Sequence, residues 1–133
     1  MLTVIPRDYQ AEARDKILAA WGEKPWHTEG DTYRSCVLNI PTSSGKTIVA
    51  GLVCEAVMQR GRFLYLADRD ELCEQPRNKF ADLLGIQTAL DKGQEHASRM
   101  MQVVVASIQT LSRENRLERF PPNHFGYVFV DEA

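Results

Sequence analysis

Five-residue apolar runs separated by helix-length stretches recur along this chain, and that alternation restricts what it can fold into more than any other feature. The runs are residues 36–40 (Cys-Val-Leu-Asn-Ile), 63–67 (Phe-Leu-Tyr-Leu-Ala), 103–107 (Val-Val-Val-Ala-Ser) and 127–131 (Tyr-Val-Phe-Val-Asp), with a weaker one near Thr88. Such runs are too short for ordinary helices, and their continuous apolar character is that of strands buried on both faces. Between them lie helical patterns. After Pro6, Ala13, Ile17, Leu18 and Trp21 recur at helical spacing, so residues 7–21 read as an amphipathic helix with its apolar face on a sheet. Residues 22–33 read as a loop, 46–59 as a second helix, and 69–84 as a third that Pro76 should break near Gln75. Strands alternating with helices imply an α/β fold, a three-layer parallel sheet joined by right-handed crossovers.

The 133 residues fit one domain, 1–133, and 44% hydrophobic with 26% charged residues excludes disordered and fibrous classes. Charge interrupts every apolar stretch before the ~18 residues a membrane span needs, and no basic-then-apolar leader opens the chain. A soluble, intracellular, cytoplasmic protein with no membrane partner is expected. Cys36, Cys54 and Cys73 are odd in number, and His27, His96 and His124 stand far apart, so neither a disulfide framework nor a zinc site is indicated. The net charge of −2 provides no global basic footprint, and any polynucleotide contact must be local or shared with another domain. Arg113, Arg116 and Arg119 alternate with Glu114 and Glu118, which reads as a solvated mixed-charge surface.

The first chemical motif follows the run at 36–40. Pro41, Thr42, Ser43, Ser44, Gly45, Lys46 and Thr47 stand between an expected strand and an expected helix, where a phosphate-binding loop belongs. Small residues let backbone N–H groups curl around phosphate, and the helix N-terminus adds partial positive charge. Lys46 would reach the β and γ phosphates, and Thr47 would ligate Mg²⁺. Ile40 and Ser43 depart from the commonest form of such loops, which leaves an ordinary structural turn as the alternative.

The second motif closes the chain. Residues 127–131 form an apolar strand whose end presents Asp131 and then Glu132. In open α/β sheets ligands bind at the carboxyl ends of strands, so Asp131 would meet the cation held by Thr47. Glu132 would orient and deprotonate an attacking water. Taken alone, the pair also reads as a polar exit into solvent.

With both motifs in place, the chain resembles the first RecA-like domain of superfamily two helicases, in the restriction-enzyme and repair-type DEAH group. Four segments carry the resemblance: Pro6 to Ala13 with its Arg-x-Tyr-Gln-x-Glu-Ala pattern, the Gly-Lys-Thr loop, residues 63–72 as motif Ia, and residues 103–111 as the following nucleic-acid-contacting segment. The resemblance implies a RecA-like P-loop NTPase with ATP and Mg²⁺ as cofactors, and Arg7 and Gln10 as adenine contacts. It implies Arg69, Ser107, Gln109 and Thr110 as contacts to nucleic acid, DNA more than RNA, and Asp131-Glu132-Ala133 as the opening of a DEAH, DEAD or other variant of that motif. It implies further a second RecA-like domain outside these residues, whose arginines complete the site, so these residues alone should hydrolyse ATP poorly. A phosphate-loop kinase and a non-catalytic helicase-fold binding module are the alternatives.

Overall fold

The computed structural model describes residues 8–21, 43–92, 97, 100–113, 116–121 and 124–131. The strand expected at 36–40 lies outside them, as do Arg7, Pro41, Thr42 and Glu132. In chain order the elements are α1 (Asp8–Trp21), α2 (Ser43–Val57), β1 (Phe63–Ala67), α3 (Glu74–Leu84), β2 (Ala89–Asp91), β3 (Val103–Ser107), the single turn α4 (Ile108–Leu111) and β4 (Tyr127–Val130), with short 3-10 turns at Asp70–Leu72 and Leu117–Arg119. No helix among the described residues is long and apolar enough to cross a membrane.

The four strands form one all-parallel sheet in the order β2-β3-β1-β4. Phe63 pairs with Val103 on one side and with Tyr127 on the other, so the three longer strands run in step and their carboxyl ends share one edge. Side chains alternate across a strand. Phe63, Tyr65, Val103, Val105 and Tyr127 therefore meet α2 and α3 on one face. Leu64, Val104 and Ala106 point the other way, where Ala97, Leu111 and Phe120 cover them. The sheet is the middle of three layers, which is why β3 is buried throughout.

The apolar face of α1 was expected on the sheet, but it packs along α2 and touches β4 through Trp21, whose ring lies 5.3 Å from that of Tyr127. The cause lies in α2, where Val49, Ala50, Leu52, Val53, Cys54 and Val57 are all buried. A helix apolar on several sides needs more than one sheet face to cover it. The other side of α2 meets α3 at Gly51, where a Cβ would overlap the Leu84 side chain.

The expected break in the third helix falls at Cys73, between the turn Asp70–Leu72 and α3, rather than near Gln75. Pro76 is the third residue of α3. The first four N–H groups of a helix have no intrahelical partner, so a proline there removes nothing. The helix ends at Gly85, which adopts φ 67° and ψ 23° while the N–H of Ile86 reaches back to the carbonyl of Phe80 at 2.8 Å. This left-handed cap suits glycine.

The solvated surface expected of the arginines is corrected at two of the three positions. Asp91, wholly buried at the end of β2, accepts from Arg119 Nη1 at 2.7 Å, while Arg116 Nη2 lies 3.4 Å away. The main-chain N–H of Ala97 donates to the same carboxylate at 2.9 Å, and Arg119 Nη2 donates to the Ala97 carbonyl at 2.7 Å. The buried carboxylate draws both guanidiniums inward, because a buried charge is tolerated only when paired. Arg113 stays exposed.

Candidate functional site

Helix α2 begins at Ser43, so Ser43, Ser44 and Gly45, expected in the loop, are already helical. Lys46 and Thr47 thus sit in the first turn and a half of α2. Thr47 is buried and Lys46 half-buried. N–H groups of a first turn lack partners within the helix, which makes this end suited to an anion.

Asp131 follows β4 directly, and its N–H extends the sheet by donating to the Leu66 carbonyl at 2.9 Å. Counting by twos from Tyr127 and Phe129 puts Asp131 on the face that carries α2. There the Tyr65 hydroxyl donates to Asp131 Oδ2 at 2.7 Å. The Thr47 side chain approaches the same hydroxyl. The first turns of α2 and the end of β4, far apart in sequence, therefore meet around one buried hydroxyl at one sheet edge. Burial, followed by the bond to Asp131 and its charge, raises the Tyr65 pKa well above the usual phenol range, so it remains a neutral donor.

A second group of predicted residues meets at the same carboxyl edge. The turn after β1 carries Arg69, which is exposed beside Asp68 at 3.7 Å. The turn after β3 carries Ser107 and Thr110, both without exposed surface, and Gln109, which is exposed. Asp70 ties the two turns together. Its Oδ1 accepts from the Ser107 hydroxyl and from Thr110 Oγ1 at 2.6 Å, and its N–H donates to Gln109 Oε1 at 3.2 Å. Partial desolvation opposes ionisation of Asp70, but the bonds from Ser107 and Thr110, with Arg113 nearby, hold its carboxyl below the ordinary value. The hydroxyls of Ser107 and Thr110 are thus directed inward, while Arg69 and Gln109 stand at the surface. Gln10 is buried in the first turn of α1.

Cys54 and Cys73 are free and buried. Desolvation pushes the Cys73 thiol up to about 11 and Cys54 higher still, which keeps both from acting as nucleophiles near neutral pH. No cluster of three or more His, Cys, Asp or Glu that could hold a metal occurs among the described residues.

Residues 3–133 match the family described as Type III restriction enzyme, res subunit. The chain belongs to that family. The matched region of the type III res-subunit family is the N-terminal RecA-like domain of helicase superfamily two, an ATP-binding domain of helicase type, and the parallel sheet flanked by helices agrees with it. Helicase-type domains of this kind generally use ATP and Mg²⁺. A search of curated proteins returns no match.

Two residues of the edge escaped the sequence reading. Tyr65 was counted only as an apolar strand residue, although a tyrosine amid aliphatic neighbours, when buried, needs a partner for its hydroxyl. Asp70 was read as part of a polar turn. Its partners lie 37 and 40 residues away, and no local pattern announces them.

Proposed function

We propose that this chain is the ATP-binding part of an ATP-dependent helicase or translocase that moves on nucleic acid, DNA in preference to RNA. The observation that carries the reading is the meeting of Thr47 and Asp131 at the Tyr65 hydroxyl, which donates to Asp131. It brings an amino-terminal helix hydroxyl and a strand-end carboxylate to one place, and these are oxygen donors of the kind that a small, hard cation such as Mg²⁺ takes.

In this reading, residues 41–45 form the phosphate-binding loop, and the backbone N–H groups of residues 42–45, proline having none, would face the phosphates. Lys46 neutralises the β and γ phosphates, and Thr47 and Asp131 hold Mg²⁺. Bound there, Mg²⁺ would offset the negative charge that builds on the phosphates. Glu132 takes the proton of a water that attacks the γ phosphorus, and ADP leaves with the bridging oxygen. Arg7 and Gln10 hold the adenine, for which an amide that both donates and accepts is suited. Arg69 and Gln109 face the polynucleotide backbone, and Ser107 and Thr110 support them from behind. Contacts of this kind grip phosphates without reading sequence. A second RecA-like domain supplies the arginine fingers, each worth about 10³–10⁵ in rate, so this domain by itself turns over ATP slowly.

The test is phosphate release by the protein with and without single- and double-stranded DNA and RNA. Stimulation by a polymer, larger for DNA, is expected. Turnover indifferent to every polymer would remove the motor reading.

A further inference from the structure

Tyr65 has no role in the chemistry just described, yet its hydroxyl is what connects the two halves of the site. The ring is 1% exposed near the middle of β1, stacked on Phe129 with centroids 5.4 Å apart and edge-on to Phe80 at 5.9 Å. Those contacts hold the ring in place, so the hydroxyl has a fixed position. A phenylalanine would fill the same space with the same two ring contacts. Packing therefore does not require the hydroxyl, and a buried hydroxyl is unfavourable unless bonded. Its partner supplies the reason for it: it donates to Asp131 Oδ2 at 2.7 Å.

We infer that Tyr65 is a positioning residue for the cation of this site, holding the Asp131 carboxylate in the orientation that Mg²⁺ requires. The inference rests on the Mg-ATP reading above. On the carboxylate, Oδ2 is engaged by Tyr65, and no bond to Oδ1 is seen among the described residues. Asp131 stands just past the end of a strand, where an unheld side chain samples several rotamers, and ordering it on binding carries an entropic cost. A bond from a rigid core aromatic removes that cost before the cation arrives. Groups that orient metal ligands in this way change metal affinity by about 10- to 100-fold when removed.

The experiment is Tyr65→Phe, with the affinity of a fluorescent ADP analogue measured in EDTA and across a Mg²⁺ titration. The expected result is an unchanged affinity in EDTA, an unchanged melting curve, and a half-saturating Mg²⁺ concentration raised about tenfold. A Mg²⁺ titration identical to wild type would overturn the inference while leaving the ATP site standing. An equal loss of affinity with and without Mg²⁺ would also overturn it, since the hydroxyl would then serve the fold or the nucleotide. Wild-type protein that binds the analogue in neither condition would overturn the site reading itself, and this inference with it. Should the phenylalanine protein melt early, soaking Mn²⁺ into wild-type crystals keeps the question open to a direct answer: metal beside Asp131, with the Tyr65 bond retained, supports the inference, and metal bound with that bond broken defeats it.

Discussion

Replacing Asp91 with alanine should be the most damaging single change outside the apolar core. The carboxylate has no exposed surface, and its Oδ1 is approached by Arg119 at 2.7 Å, by the Ala97 N–H at 2.9 Å and by Arg116 at 3.4 Å. Alanine removes the carboxylate that both guanidiniums approach, whose side chains are 12% and 28% exposed. Removing one partner of a buried pair costs about 3–5 kcal/mol, because the remaining charge is uncompensated. Arg119 is open enough to swing towards water, which lowers the figure, and the stranded Ala97 N–H raises it by about 1 kcal/mol. The net expectation is a loss of about 3 kcal/mol, or a fall in Tm of about 12 °C for a domain of this size. Urea denaturation followed by circular dichroism measures the first, and a thermal melt the second. Arg113→Ala is the matched control, since Arg113 is half exposed and 4.0 Å from Asp70, and surface pairs of that kind contribute at most about 1 kcal/mol. If Asp91→Ala costs no more than Arg113→Ala, then Arg116 and Arg119 form a solvated ridge after all and the buried-cluster argument is wrong.

Other substitutions test other parts of the structure. Gly51→Ala would drive a methyl group into Leu84 and to 3.4 Å from Phe80. Overpacking costs about 1–3 kcal/mol and the gain in helix propensity returns under about 1, so the urea midpoint should fall, and an unchanged midpoint would show that α2 and α3 are less closely packed. Lys46→Ala should abolish tight nucleotide binding without moving Tm, because Lys46 is no part of the core; isothermal titration with Mg-ATP decides it. Asp70 has a folded-state pKa below its ordinary 3.8, so the stability it contributes is present above that value and is lost as pH falls through the lower, folded one. Asp70→Asn should accordingly melt below wild type at neutral pH, and the gap should close in acid below pH 3.8; a gap that persists there would place the effect in packing rather than charge.

Much of this domain was legible from local pattern. The runs at 63–67, 103–107 and 127–130 became strands because β-branched and aromatic residues in short apolar stretches have little alternative in a two-sided core. The weak run near Thr88 became β2 one residue later, and the amphipathic stretch after Pro6 became α1. Gly-Lys-Thr and Asp-Glu were visible as candidates because phosphate and metal chemistry restricts the residue types that can serve it. What local pattern did not contain was the company those residues keep. That α1 would cover α2, that Arg116 and Arg119 would close over Asp91, and that Ser107 and Thr110 would turn inward to Asp70 all depend on neighbours brought together by the order of the strands. The bond from Tyr65 to Asp131 spans 66 positions and exists because β1 and β4 pair in a register that sets both side chains on the face of α2. Sequence specifies which groups can donate and accept; strand register and helix packing decide which of them come within 3 Å.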